Sequence, residues 1–94
     1  MSNTETVVGG WTTFSFEVSA EAAKVFNKAT ENWAGVNYTP LAVATQVVNG
    51  INYCFLCKGV LVTPEQSQMA ALVYIHQPSG GQDPFITEVK QIKP

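Results

Sequence analysis

The 94-residue chain contains no arginine; all five of its basic residues are lysine. Without a guanidinium fork it has no bidentate contact to offer a phosphate or a base edge. A net charge of −2 supplies no general attraction to a polyanion either, so nucleic acid is not an expected partner. Histidine occurs once, at His76, which rules out a histidine-based metal cluster and leaves a Cys/His nucleophilic pair dependent on one of only two cysteines. Two cysteines are also too few for a disulfide-dense secreted scaffold. No apolar run approaches the roughly 20 residues that a membrane-spanning helix needs. Residues 1–5 are polar and carry no basic group, unlike an export signal. The expected address is therefore cytoplasmic, with no membrane partner, although a removed leader replaced by Met1 would leave secretion open. The seven carboxylates are scattered, and no spacing among them marks an acid/base pair.

What the chain does have is material for a core: 46% hydrophobic residues and two tryptophans. At this length it is expected to form one domain over residues 1–94, burying about 60–65% of its unfolded surface. Residues 11–18 alternate, placing Phe14, Phe16 and Val18 on one face of a first strand. Ser19 stands where a helix N-cap belongs, with Glu21 suited to the positive end of the helix dipole. The spacing of Ala22, Val25, Phe26, Ala29 and Trp33 predicts an amphipathic helix over residues 20–34, stopped at Gly35, with Glu21 and Glu31 on its solvated side. Further strands are expected over residues 41–48, 51–61 (bent at Gly59), 69–77 and 85–92. Polar turns at residues 63–67 and 78–84 separate the last three. Pro40, which cannot donate to a ladder, precedes the first of these four strands. One early helix followed by hairpin-connected strands implies an α+β domain with an antiparallel sheet laid across the helix.

Several residues have a plain structural use. Cys54 and Cys57 form C-x-x-C, but strand residues three apart point to opposite faces, so their sulfurs cannot converge on a bond or a metal. One is expected to fill the core and the other to be a partly exposed thiol. Trp11 and Trp33 are assigned to packing. His76 is either an ordinary polar residue or a contact residue beside the loop at Pro78.

The turn Gln46-Val47-Val48-Asn49-Gly50 is different, because it sets valines at the tip of a hairpin. Apolar side chains there are best tolerated when another surface covers them. Its Q-x-V-x-G pattern resembles the first binding loop of the cystatins, inhibitors of papain-like cysteine proteases. The following Gly50-Ile51-Asn52-Tyr53 is similar to the family's next strand, and Val7-Val8-Gly9-Gly10 to its glycine-marked N-terminal trunk. The absence of paired cysteines late in the chain places the likeness with the disulfide-free, stefin-like branch.

The resemblance implies a single long helix packed on a curved four- to five-stranded antiparallel sheet, preceded by a flexible trunk over residues 1–8. It also implies reversible competitive inhibition of papain-like, cathepsin-type cysteine proteases by a wedge that occludes the cleft, without enzymatic activity and with no cofactor or metal. Val7 and Val8 would fill unprimed pockets, and Gly9 would turn the chain away from the nucleophile. Residues 46–50 would cover the catalytic cysteine and histidine, and His76, Gln77 and Pro78 would form the second loop. The chain departs from the family pattern at Asn49, where many members carry a small residue. It departs again at Gln77-Pro78, where Pro-Trp or Leu-Pro is common, and in a span from Gly9 to Gln46 that is a few residues short.

Two other readings belong to different classes. A non-inhibitory protein-binding module could keep the fold and use its loops or sheet face for another partner. An enzyme or ligand carrier would need an open cavity with converging polar groups, whereas these strands offer mainly valine, alanine, isoleucine and phenylalanine. The chain is expected to be a monomer, with exchange of strands into a domain-swapped dimer motivated by Val47 and Val48 at the turn.

Overall fold

In the computed structural model, which describes residues 10–94, one helix and four strands follow in the order α1 (Ala20–Thr30), β1 (Val36–Val48), β2 (Gly50–Leu61), β3 (Gln68–Gln77) and β4 (Phe85–Ile92). Val7, Val8 and Gly9 lie outside the described residues. Each strand pairs antiparallel with the next, giving the sheet order β1-β2-β3-β4. The class is thus α+β, one short helix packed on a four-stranded antiparallel sheet.

Alternation along β2 divides the sheet into two faces. Tyr53, Phe55 and Cys57 join Ala22, Val25 and Phe26 of α1 in one buried cluster, together with Val43, Val73 and Ile75. Its centre is Phe55, fully buried, which pairs with Val43 on one side and Val73 on the other. The Phe55 ring meets Phe26 edge-on at 4.9 Å and stacks on Tyr53 at 5.7 Å. Removing a side chain such as this from water contributes about 1.5–3 kcal/mol.

The helix is shorter than its apolar spacing predicts, 11 residues ending at Thr30 rather than running to residue 34. Its start is as expected, with Ser19 Oγ accepting a hydrogen bond from the Ala22 amide at 3.1 Å. Its end follows from local competition. The Thr30 hydroxyl bonds back to the Phe26 carbonyl at 2.8 Å, and the Thr30 carbonyl takes a tighter turn bond from the Trp33 amide at 3.0 Å. Trp33 then leaves the helix line to rest against Tyr38, ring centres 5.5 Å apart. It remains 41% exposed and does not fill the core.

The first expected strand is also corrected. Residues 11–15 form no continuous ladder with β1: they meet it at two isolated bridges, Trp11 with Gln46 and Ser15 with Val43, and through the Thr12 hydroxyl, which accepts from the Thr45 amide at 3.0 Å. From Trp11 to Ser15 is four steps, but from Gln46 to Val43 is three, so one extra residue breaks the period-two pattern. Phe14 and Phe16 accordingly do not share a core face; Phe16 is 71% exposed. Trp11 instead crosses the face of the sheet away from α1 to reach Tyr74, 6.0 Å away, and is not fully packed.

The remaining strands follow expectation closely, with β4 at residues 85–92. β1 begins earlier than expected because residues 36–40 pair with residues 57–61, and Pro40 is accommodated beside a register shift on a strand at the end of the sheet order. A second shift lies between Tyr74 and Ile75 in the pairing of β3 with β4. Gly59 leaves room for Tyr38, since a Cβ there would stand 3.1 Å from the tyrosine Cε1. No helix of the described residues is long and apolar enough to cross a membrane.

Candidate functional site

Two hairpin ends meet at one end of the sheet. The turn between β1 and β2 is tight: Val48 pairs with Gly50, leaving Asn49 alone at the tip. Gly50 has a φ of +99°, which side-chain-bearing residues rarely adopt. A Cβ on Gly50 would collide with the backbone carbonyl of Gln77 and would stand 3.1 Å from the Ser79 amide and 3.2 Å from His76 Cε1. Glycine is therefore required here for two separate reasons, the turn itself and the close approach of the second hairpin. Val47 and Val48 are 43% and 39% exposed, so the tip presents apolar surface to solvent as the sequence suggests.

The second hairpin end is joined to the first by polar contacts. The Ser79 hydroxyl donates to Asn49 Oδ1 at 2.8 Å. Behind the tips, Asn52 links all three adjoining strands: its Nδ2 donates to Gln46 Oε1 at 2.8 Å, and its Oδ1 lies 2.6 Å from His76 Nδ1. With the amide nitrogen committed to Gln46, Oδ1 is left as acceptor, so His76 Nδ1 is the protonated ring nitrogen. The His76 ring also sits against Phe85, centres 5.6 Å apart. Gln77 Nε2 donates to the carbonyls of Pro78 and Gln82 at 3.1 and 2.8 Å, closing the second loop on itself.

The structure thus brings together Gln46, Val47, Val48, Asn49 and Gly50 with His76, Gln77 and Pro78. Sequence reasoning missed Asn52 and Ser79. Asn52 was within reach of it, because a turn centred on Asn49 makes Gln46 and Asn52 cross-strand partners. Ser79 was not, since its place depends on the register of β3 against β2. No acidic or basic residue other than His76 occurs over residues 46–52 or 76–82, so a partner covering this end desolvates no fixed charge.

The cysteines lie elsewhere. They sit on opposite faces as expected: Cys57 belongs to the cluster under α1, and Cys54 lies among Trp11, Phe14, Leu72 and Tyr74 on the other face. Both are buried, which corrects the expectation that one is partly exposed. Burial pushes the Cys57 thiol up from its ordinary 9.0 to about 12 and also raises Cys54, whose contact with Tyr74 acts in the opposite direction. Neither is a reactive thiolate. No group of three or more His, Cys, Asp or Glu able to hold a metal occurs among the described residues. An open surface groove of about 650 Å³ lies between α1 and residues 81–84, lined in part by Lys24, Lys28 and Asp83.

Comparison of the chain with known proteins gives no matching family model, no matching curated protein and no matching solved structure.

Proposed function

We propose that the joined hairpin ends form a wedge that enters the cleft of a papain-like cysteine protease and competes reversibly with substrate. The observation that carries this reading is the side-by-side placement of residues 46–50 and 76–78, fixed by the Gly50–Gln77 approach and the Ser79–Asn49 bond, with Val47 and Val48 exposed at the tip. A preformed turn loses little conformational entropy on docking. Each valine is already more than half buried, so covering its exposed part gains roughly 0.6–1.2 kcal/mol. Within this reading Val47 and Val48 lie over the catalytic cysteine and histidine, blocking access without offering a bond to cleave. His76, Gln77 and Pro78 contact the primed side, and Val7, Val8 and Gly9 extend along the unprimed side. The cystatin-like reading of the fold belongs to the same proposal; the four-stranded antiparallel sheet with one packed helix is compatible with it, and the shortness of the helix is not what the family pattern implies.

The test is titration of active papain with the intact chain, a chain lacking residues 1–8, and Gly50→Glu. Tight inhibition weakened by both changes supports the wedge. A second reading, a protein-binding module without inhibitory activity, is favoured by the polar Asn49 and Gln77 at positions where the family pattern differs. Absence of inhibition by the intact chain, with the fold intact by circular dichroism, is the result that selects it.

A further inference from the structure

The sheet has one edge whose backbone direction can be worked out residue by residue. Ser15 and Val43 exchange both amide–carbonyl bonds, each 2.9 Å, so the Val43 peptide groups point away from β2. In an antiparallel ladder opposite residues alternate between bonded and non-bonded pairs. Val43 is opposite Phe55, Phe55 opposite Val73, and Val73 opposite Val89. The pair Val43–Phe55 is therefore non-bonded, Phe55–Val73 bonded and Val73–Val89 non-bonded. The N–H and C=O of Val89 consequently face outward from the sheet, as do those of Gln91 two residues on. Among the described residues no strand lies beyond β4.

The side chains along this edge are self-complementary. Glu88 and Lys90 flank Val89, are opposite Tyr74 and Leu72, and so share the face away from α1. Both are exposed, with the Lys90 ammonium 5.7 Å over the Tyr74 ring. Two copies related by a two-fold axis through Val89 would set Glu88 of each opposite Lys90 of the other, because a residue one step before the axis meets the residue one step after it. Opposite charges placed so support strand pairing, and like charges oppose it. A lysine and a bulge ordinarily protect an exposed edge. Here the lysine is matched by a glutamate two residues away, and the register shift lies before Glu88, leaving residues 88–92 regular.

We propose that the β4 edge pairs with the β4 edge of a second copy, antiparallel about Val89, with two reciprocal Glu88–Lys90 contacts and two Val89 backbone bonds at the centre. The product is a continuous eight-stranded sheet. Because the strands run in opposite directions, the two hairpin ends point away from one another, and both remain accessible. The proposal does not depend on what those ends bind.

Sedimentation equilibrium of the full chain from about 10 µM to about 1 mM tests it. The expected result is a monomer–dimer equilibrium in that range. Glu88→Lys alone and Lys90→Glu alone each place like charges opposite one another and weaken association by about tenfold or more. The double variant Glu88→Lys/Lys90→Glu restores it, which a variant that had simply misfolded would not do. A chain that stays monomeric throughout overturns the proposal. So does association indifferent to the single changes, as exchange of strands at the residue 46–50 turn would be, or association not recovered in the double variant.

Discussion

At Gly50 two constraints coincide, and they can be separated by comparison with Gly81. Both glycines have positive φ, +99° and +90°, but a Cβ at Gly81 meets nothing within 4 Å whereas one at Gly50 runs into the Gln77 carbonyl. Gly81→Ala is predicted to cost about 1–2 kcal/mol, the penalty for a left-handed conformation. Gly50→Ala is predicted to cost more, because the second hairpin must also move; urea denaturation of both variants measures the difference, and equal losses would mean that the hairpin ends are not in contact. Cys57 gives a second prediction. Its folded value lies above its ordinary one, so its contribution is complete below pH 9.0 and is lost as the pH rises towards about 12, where the unfolded chain sheds a proton that the folded chain retains. Stability should fall over that window, and Cys57→Ala should make the fall shallower without abolishing it, since Tyr38, Tyr53, Tyr74 and Cys54 are raised as well. An unchanged slope in Cys57→Ala would show that the thiol is not in the dry core. The opposite faces of Cys54 and Cys57 were legible from their spacing alone. The burial of Cys54 was not, because it depends on Trp11 and Tyr74, residues 43 positions or fewer away in sequence but joined to it only by tertiary packing.

Among the elements, α1 is fixed at its start by a single side-chain cap, Ser19. Ser19→Ala removes the acceptor of the Ala22 amide and is predicted to cost about 1 kcal/mol, read as a lower urea midpoint with an unchanged slope; no loss would mean that water replaces the cap at no cost. The cap could be read from the sequence because it is a local contact. The helix end could not, because Trp33 continues the apolar spacing of Phe26 and Ala29 and yet packs on Tyr38, an attraction from outside the helix. The same distinction explains the strands. Hairpin-joined β2, β3 and β4 were legible from alternation bounded by turn residues, and β4 spans the residues expected. The segment at residues 11–15 was not, since the one-residue surplus between its two bridges carries no mark in composition. Of the candidate site, the Q-x-V-x-G turn and His76-Gln77-Pro78 were visible as separate pieces. Their junction through Asn52 and Ser79 is a product of strand register.

For the molecule as a whole, the proposed function rests on one end of the sheet rather than on its interior. Phe55 and Val73 have no exposed surface, and the groove of about 650 Å³ beside α1 is open to solvent rather than a chamber inside the fold. The half-exposed apolar tip at Val47 and Val48 is set on a scaffold held by the Phe55 cluster, so trimming a tip valine is expected to cost only about 1 kcal/mol and to leave the chain folded. That separation makes the decisive measurement possible: titration of active papain, followed by substrate turnover, with the intact chain, Val47→Ala and Val48→Ala. Because only about two-fifths of each valine is exposed in the free chain, trimming it removes roughly 0.6 kcal/mol of burial on docking, so the account predicts inhibition by the intact chain and about threefold weaker inhibition by each variant, measured where all three are folded. Turnover unaffected by the intact chain, or inhibition equal in all three proteins, would contradict the wedge.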